Sequence, residues 1–190
     1  LTDESPKCLL EVRGKALLDW QIYAIRQAGI EEIAIVTGYR RELLLNRGLV
    51  EFHNARWAET NMFASLSEAA SWLLDTPCVV SYSDIFYRPT AVESLMQSPA
   101  DIAITYDPAW LNLWQKRFSN PLDDAETFRL TADSNMAEIG GQPNTIDEVQ
   151  GQYMGLLRIT SVGWGEMCRV MAEDLAHDRD QIHMTAVLQR

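Results

Sequence analysis

The sequence has 190 residues, of which 47% are hydrophobic and 23% are charged, the composition of an ordinary globular domain rather than of a disordered chain. Its formal net charge of −11 repels polyanions over most of the surface, which argues against a nucleic-acid partner but allows a small anionic ligand held by a local group of cations. No apolar run approaches the roughly 18 residues of a membrane span, and no charged-then-apolar leader opens the chain, so we expect a cytoplasmic protein without a membrane partner.

The cysteines form no recognisable disulfide or metal pattern. Cys8, Cys78 and Cys168 lie far apart, are odd in number and have only three histidines to join them. A disulfide framework needs paired cysteines, and a zinc site needs closely spaced Cys and His ligands. The sequence therefore argues against both.

The first half of the chain alternates predicted helices and strands. In chain order we expect a helix over residues 14–29, a strand over residues 33–37, a helix that begins near Thr60, a strand that ends at Asp84, a helix with a capping box at Thr90 and Glu93, and a strand over residues 102–106. The strand over residues 33–37 is a nearly continuous apolar run, as expected where helices cover both faces of a parallel sheet. This order predicts an α/β fold, with a doubly wound, mostly parallel Rossmann-like sheet in a single domain.

The second half changes character after Asp107. A helix is expected over residues 108–118, followed by short strands at residues 127–130, 137–139 and 153–159. These short strands predict a small mixed β subregion that forms one wall of a cleft. A last helix is expected over residues 164–175, with an inward face formed by Met167, Met171 and Leu175.

The run Ser81-Tyr82-Ser83-Asp84 ends a predicted strand in one carboxylate. In open α/β sheets, ligands collect in the crevice beyond the carboxyl ends of the strands. A lone acid at that place is positioned to hold a divalent cation that bridges substrate phosphates. The alternative is an aspartate that caps the following turn or helix.

Four segments resemble the nucleotidyltransferase family and occur in that family's order. They are LTDESPKCLLEVRGK at residues 1–15, TNMFASL at residues 60–66, SYSD at residues 81–84 and GQYMGL at residues 151–156. The first resembles the tail of the family signature, whose glycine-rich G-x-G-x-R half is absent. Two further segments, LWQKRF at residues 113–118 and NPLDDAE at residues 120–126, resemble the branch that includes phosphocholine cytidylyltransferases and CTP:phosphoglutamine cytidylyltransferase.

The ends of the chain suggest a longer protein. It begins at Leu1 rather than at a methionine and stops within a predicted helix, so we expect the glycine-rich loop and a C-terminal tail to lie outside this sequence. By the resemblance, residues 1–106 form the nucleotide-binding part of the domain and residues 107–190 the acceptor-binding part.

The resemblance implies a reaction in which a phosphate oxygen of an acceptor attacks the α-phosphorus of a nucleoside triphosphate and pyrophosphate leaves. Both partners are anions, so positioning and charge neutralisation supply the catalysis. By resemblance, Lys7 offsets phosphate charge and Asp84 holds Mg²⁺, while the alternative for Lys7 is a solvated loop lysine. The second acid that related enzymes use has no candidate in the visible chain.

Three further residues are assigned to the nucleotide by resemblance: Asn61, Ser65 and Tyr82. An amide presents both a donor and an acceptor to the edge of a pyrimidine, which suits recognition of cytosine. The alternative for Asn61 is an ordinary helix cap, a role for which Thr60 is already expected.

The acceptor is expected to meet the region after Asp107. Trp110 and Trp114 share one helical face, with Arg117 one turn further on, so the indoles could cover an alkyl or ammonium group while the guanidinium binds phosphate. Core packing of both indoles is the equal alternative. Acidic side chains near a phosphate site fit an acceptor that carries an amine, and the alternative for them is a solvated acidic loop. For Gln152 and Tyr153 the alternative is a place at the edge of a strand. The remaining candidate contacts are Asp107, Asp123, Asp124, Glu126, Gln152 and Tyr153.

These features predict a Mg²⁺-dependent cytidylyltransferase that transfers CMP from CTP to a small amine-bearing phosphate or phosphonate, such as phosphocholine, aminoethylphosphonate or phosphoglutamine, in the decoration of a surface polysaccharide or lipid. Two alternatives stay open: a sugar-1-phosphate nucleotidyltransferase and a non-catalytic nucleotide-sensing module. A glycosyltransferase would show two acids as D-x-D, whereas this chain has Asp84-Ile85-Phe86. The expected partners are CTP and the acceptor, and a homodimer is left open.

Overall fold

The computed structural model describes residues 4–173 and 180–190. Its strands are β1 (Glu11–Val12), β2 (Lys15–Ala16), β3 (Ala34–Thr37), β4 (Val50–His53), β5 (Cys78–Ser81), β6 (Ile102–Asp107), β7 (Phe128–Leu130), β8 (Met136–Ile139) and β9 (Gln152–Ile159). Its helices are α1 (Leu17–Gln27), α2 (Met62–Ser67), α3 (Ala70–Asp75), α4 (Pro89–Gln97), α5 (Trp110–Arg117), α6 (Ser161–Glu173) and α7 (Met184–Gln189). No helix in this part of the chain is both long and apolar enough to cross a membrane.

The strands pair differently from the expectation of a mostly parallel sheet. Strands β3 and β4 form a parallel pair, but β9 lies between β5 and β6 and runs antiparallel to both. Strands β7 and β8 form a small antiparallel ladder, which matches the mixed subregion expected in the second half. The α/β class is therefore confirmed; β5 and β6 run parallel to each other, but each pairs with the antiparallel β9 rather than with a parallel neighbour.

Helices cover both faces of the β5–β9–β6 sheet. On one face, Leu157 and Ile159 pack in the main core with helices α2, α3, α6 and α7, where the rings of Phe63 and Trp164 stack with centroids 5.3 Å apart. On the other face, the neighbouring Leu156 packs with α4 and with Ile25 of α1. Alternate residues of β9 thus enter two different apolar layers, as expected for a sheet that is buried on both sides.

Several predicted helices begin at other residues. The helix expected near Thr60 begins at Met62 and is divided into α2 and α3. The helix expected to start with a capping box at Thr90 begins one residue earlier with Pro89, whose fixed φ suits the first helical position and makes that cap unnecessary.

The last predicted helix begins earlier than expected, at Ser161. Its inward residues Met167 and Met171 are both buried, in agreement with the helical spacing. Leu175, the third residue expected on that face, lies outside the described residues.

Candidate active site

The turn after β5 places Asp84 at the end of the strand. Gln21 on α1 donates from Nε2 to the carbonyl oxygens of Tyr82, at 2.9 Å, and of Ile85, at 2.7 Å. Gln21 is only 5% exposed, so its amide must find partners inside the protein. One buried amide therefore holds both ends of the turn that presents Asp84.

Lys7 reaches the same place from the start of the described chain. It opens a short 3-10 turn that is anchored by the buried Cys8, which packs with Leu18 and Leu44. Lys7 Nζ lies 3.5 Å from Asp84 Oδ2, and the two side chains are 61% and 43% exposed. An exposed ion pair at this distance stabilises a protein by at most about 1 kcal/mol, so both groups remain free to bind a ligand.

A single cavity joins the residues assigned to the nucleotide. Its volume is about 940 Å³, and it extends from the end of β5 down between β3 and β5. At its mouth it is lined by Lys7, Asn61, Ser65, Tyr82 and Asp84. Residues that are up to 77 positions apart in the sequence therefore border one space.

Two tyrosines pack against each other beside this mouth. The rings of Tyr82 and Tyr153 meet edge to face, with centroids 5.8 Å apart and an interplanar angle of 83°. Burial raises the pKa of Tyr82 to about 12 and raises the pKa of Tyr153 well above its usual range, so both hydroxyls stay protonated at neutral pH. Both hydroxyl oxygens are buried, and neither makes a well-formed hydrogen bond within the described part of the chain.

Glu126, in the second half of the chain, is held beside β9 by Gln152. The side chain of Gln152 on β9 holds its backbone, donating to Glu126 O at 2.7 Å and accepting from Glu126 N–H at 3.3 Å. Desolvation raises the pKa of the Glu126 carboxyl, and nearby His183 partly offsets this effect. Besides burial, the charges of both Glu126 and Asp84 raise the pKa of Tyr82. Both carboxylates therefore act electrostatically on the same phenol.

Asn61 is the N-cap of α2. Its Oδ1 accepts from Met62 N–H at 2.8 Å, and its Nδ2 donates to Gln181 O at 3.1 Å and lies 3.3 Å from His183 Nδ1. Thr60, which was expected as the cap, bonds instead to the preceding loop. Asn61 is therefore a helix cap, as the alternative for this residue stated. Its side chain also joins Gln181 and His183 to the mouth of the cavity.

Ser65 is held by a buried asparagine. Asn54 follows β4, is 3% exposed, and donates from Nδ2 to Ser65 Oγ at 3.0 Å and to Thr60 Oγ1 at 2.8 Å. The second lone pair of the Ser65 hydroxyl and its proton remain available for other partners. The structure therefore keeps Ser65 at the mouth with hydrogen-bonding capacity.

The two tryptophans of α5 have different environments. Trp110 is 3% exposed, packs with Ala125 and Val149, and donates from Nε1 to Val149 O at 3.0 Å. The core alternative therefore describes Trp110, and the expectation that it contacts a ligand is not supported by its position. Trp114 is half-buried, and the exposed Arg117 stacks over its ring with Cζ 5.3 Å from the centroid.

Asp107 and Asp123 each fix a local turn. Asp107 Oδ1 accepts from Ala109 N–H at 2.8 Å, and Asp123 Oδ1 accepts from Asn120 Nδ2 at 2.7 Å. Neither aspartate is among the residues that line the cavity, and the same holds for the other acceptor candidates: Trp110, Trp114, Arg117, Glu126, Gln152 and Tyr153. The side chains of the two aspartates shape the loops around α5 and are not brought to Lys7 and Asp84.

Asp84 fits a metal ion that arrives with a substrate. The described residues contain no group of three or more His, Cys, Asp or Glu side chains arranged to hold a metal. Mg²⁺ in phosphate-binding enzymes usually keeps several waters and takes one or two carboxylates together with substrate phosphates. A single exposed carboxylate beside Lys7 meets that description, whereas a resident metal would need more ligands.

Residues 3–140 match the MobA-like NTP transferase domain, and the chain belongs to that family. It is therefore an enzyme domain of the nucleotidyltransferase class, which confirms the resemblance carried by the four sequence segments.

Relatives place the chain more finely. It is 34% identical over 205 aligned positions to the CTP:phosphoglutamine cytidylyltransferase of Campylobacter jejuni, an alignment that covers 100% of this chain and 81% of the relative. Its fold is similar to the inositol-1-phosphate CTP transferase of T. maritima, with a TM-score of 0.73 at 14% identity over 100% of this chain and 73% of that one. The CTP:phosphocholine cytidylyltransferase of Streptococcus pneumoniae gives a TM-score of 0.67 at 16% identity, covering 100% and 77%.

Sequence reasoning missed the residues that hold the site in place. Gln21 carried a signal, because a polar side chain on the apolar face of a helix needs a partner when it is buried. Gly155, which the ring of Tyr82 approaches closely, carried another, because a glycine inside an apolar strand often marks such an approach. Asn54 and His183 gave none, since their contacts join segments that the sequence does not show to be neighbours.

Proposed function

We propose that this protein is a cytidylyltransferase that transfers CMP from CTP to a small phosphorylated or phosphonate acceptor bearing an amine. The observation that carries the proposal is the convergence of Lys7 and Asp84, 3.5 Å apart at the mouth of the cavity. The 34% identity to a CTP:phosphoglutamine cytidylyltransferase along the whole chain supports the choice of base and makes phosphoglutamine the first acceptor to test.

In the proposed reaction an oxygen of the acceptor phosphate attacks the α-phosphorus of CTP, and the bond to the departing pyrophosphate breaks. Lys7 is a mobile ammonium group that offsets negative charge as the two anions approach. Asp84 would hold Mg²⁺, which neutralises triphosphate charge when bound. Gln21 keeps the turn of Asp84 in place, and no protein nucleophile is required.

Nucleotide recognition is assigned to the residues around the mouth of the cavity. Ser65 offers a hydroxyl there, and Tyr82 contributes a ring and a protonated phenol. Asn61 is partly committed to capping α2, so we assign to it a positioning role as well as a contact with the base. These assignments follow from location, since the three side chains border the same space as Asp84.

The acceptor is assigned to the adjoining wall. Glu126 supplies a carboxylate for the amine, and Tyr153, whose ring packs against that of Tyr82, supplies apolar surface. Trp114 with the stacked Arg117 is the proposed outer cover of the acceptor. Trp110 and Gln152 lie behind this wall and are assigned to support, as are Asp107 and Asp123.

Pyrophosphate release tests the proposal. The full-length protein with Mg²⁺ is offered each of CTP, UTP, GTP and dTTP against phosphoglutamine, phosphocholine, aminoethylphosphonate and glucose 1-phosphate. We expect release only with CTP and an amine-bearing acceptor. Release with a sugar phosphate and another nucleotide would move the enzyme to the sugar-nucleotide branch, and nucleotide binding without any release would favour a sensing module.

A further inference from the structure

The side-chain amide of Asn61 is oriented by two partners that cannot exchange roles. Its Oδ1 accepts from the backbone N–H of Met62 at 2.8 Å, and its Nδ2 lies 3.1 Å from the backbone oxygen of Gln181. The oxygen and nitrogen of an amide are told apart by their hydrogen-bond partners. A backbone N–H only donates and a backbone oxygen only accepts, so both partners require the same orientation of the Asn61 amide.

The second proton of Asn61 Nδ2 is directed to His183. The Nδ1 atom of the His183 ring lies 3.3 Å from Asn61 Nδ2. Because Nδ2 is a donor, Nδ1 accepts, and the neutral imidazole carries its proton on Nε2. Both protons of the amide nitrogen are therefore bonded.

The chain segment that supplies these acceptors is itself joined to the loop before α2. Asn61 N–H donates to Asp180 O at 2.6 Å, and Gln181 Nε2 donates to Glu59 O at 2.7 Å. The carboxylate of Asp180 also accepts from the guanidinium of Arg56. Several contacts therefore hold the acceptors of the Asn61 amide in place.

The hydrogen-bonding capacity that remains to the amide is one-sided. An amide oxygen has two lone pairs, and an amide nitrogen has two protons. Among the described residues, the N–H of Met62 uses one lone pair of Asn61 Oδ1, and both protons of Nδ2 have acceptors. Asn61 lines the cavity, so the amide offers a base in that space one acceptor and no donor.

A lone acceptor distinguishes cytosine from uracil. Cytosine carries an exocyclic amino group, which donates, where uracil carries a carbonyl, which accepts. Two acceptors that face each other leave both without a partner, and this loss is costly in a desolvated site. Ser65 borders the same space, but a hydroxyl both donates and accepts, so it does not make the distinction by itself.

We propose that Asn61 Oδ1 accepts from the exocyclic amino group of cytosine, and that His183 is a positioning residue that keeps the amide in this orientation. This assignment rests on the proposed function and adds to it the atoms that select the base. Loss of the His183 ring frees one N–H of Asn61, which can then donate to the uracil carbonyl.

The ratio of kcat/KM for CTP to kcat/KM for UTP tests the proposal, measured by pyrophosphate release with Mg²⁺ and the acceptor that the wild type uses. We expect His183→Ala to lower this ratio by about tenfold, chiefly through faster turnover of UTP. His183→Gln supplies another acceptor and should retain most of the selectivity. His53→Ala is the matched control, because His53 Nδ1 also contacts a side chain, that of Thr37 at 3.2 Å, but His53 does not line the cavity.

Asn61→Ser is a second variant, which keeps the helix cap. Serine caps a helix about as well as asparagine does, so α2 should form while the amide is lost. We expect the same ratio of CTP to UTP turnover to fall by about tenfold. Thermal unfolding verifies that this variant and the histidine variants are folded.

The tautomer of His183 gives a readout that does not depend on activity. The chain has three histidines, so the ring nitrogen resonances of each can be assigned by NMR. We expect the neutral His183 ring to carry its proton on Nε2, and this preference to weaken in Asn61→Ser. A proton on Nδ1 in the wild type would overturn the proposal, because Nδ1 could not then accept from Asn61.

Failure of the proposed function and failure of this assignment give different results. A wild type that releases no pyrophosphate from CTP contradicts the proposed function, and the selectivity is then taken from the dissociation constants of CTP and UTP. A wild type that prefers CTP, with folded His183→Ala and Asn61→Ser variants that keep its full selectivity, contradicts this assignment alone.

Discussion

Asp84 carries a negative charge at the mouth of the cavity and contributes little to the stability of the fold. Replacement by asparagine keeps its size and removes the charge, so Asp84→Asn should lower kcat by about 10²-fold with the melting temperature unchanged within about 2 °C, since its only described ion pair is exposed. Steady-state pyrophosphate release and thermal unfolding measure both effects. Asp133→Asn, an exposed change in the β7–β8 turn, is the control. Turnover equal to wild type in Asp84→Asn would remove Asp84 from the mechanism.

Gln21 acts on the site through Asp84. Replacement by leucine leaves the carbonyls of Tyr82 and Ile85 without their amide donor, so Gln21→Leu should lower the free energy of unfolding by about 1–3 kcal/mol and reduce kcat more than it raises KM for the nucleotide. Urea unfolding and kinetics separate the two effects. Gln27→Leu, on the exposed side of the same helix, should do neither. Normal kinetics in a destabilised Gln21→Leu protein would limit Gln21 to a structural role.

For single residues, the sequence predicted the location of the charged side chains better than that of the aromatic side chains. Lys7 and Asp84 follow from a motif and from the rule that strand ends carry ligands. Trp110 and Trp114 have the spacing of a helical face, and that spacing fits a core contact and a ligand contact equally well. Only the contact of Trp110 with Val149 separates the alternatives.

Gly155 shapes the strand that supports the tyrosine pair. It has a φ of 73°, and a Cβ atom there would lie 2.6 Å from the ring of Tyr82, so Gly155→Ala should destabilise the protein by about 1–3 kcal/mol. Gly165 lies in α6 with open space around its Cβ position, so Gly165→Ala should stabilise it by about 0.5–1 kcal/mol. Thermal unfolding should give a lower melting temperature for Gly155→Ala and a higher one for Gly165→Ala. A stabilising Gly155→Ala would mean that Tyr82 moves aside without cost.

Glu51 ties the ends of β3 and β4 together. Hydrogen bonds from Arg41, at 2.6 and 2.7 Å, and from Thr37 hold its pKa at about 2, below the ordinary value of 4.5. A carboxyl with a lowered pKa in the folded state contributes stability above its unfolded pKa and loses it as pH falls. The urea midpoint of the wild type should therefore exceed that of Glu51→Gln by a constant amount above about pH 5. This difference should shrink as the pH falls toward about 2. The exposed Glu31→Gln is the control, and a difference that grows on acidification would contradict this account.

The elements were more predictable than their pairing. The apolar run of β3 and the periodicity of α6 are local properties, and both elements are present. The position of β9 between β5 and β6 is not local, because hydrophobic alternation identifies a strand but not its neighbours. Ala34, Ile35 and Val36 were expected to be covered on both faces but are only half-buried, because they line the cavity.

The net charge of −11 acts on the whole molecule. An anionic nucleotide approaching this surface is repelled at distances comparable to the Debye length, about 10 Å at 0.1 M salt. Under the proposed function, kcat/KM for CTP should therefore rise as NaCl increases from low values to about 0.15 M at constant free Mg²⁺. Stopped-flow or initial-rate measurements at subsaturating CTP give this dependence. A steady fall of kcat/KM would show that attraction to the positive charge of Lys7 outweighs the repulsion by the net charge.

The position of β9 sets an order of events during synthesis. Strands β5 and β6 are bridged by β9, which the ribosome adds about 70 residues after β5. At roughly 5–20 residues per second, that interval lasts on the order of 4–14 s, during which the edge of β5 that later pairs with β9 has no such partner. Asp84 is thus synthesised well before β9 but acquires its final position only when that later strand has been inserted.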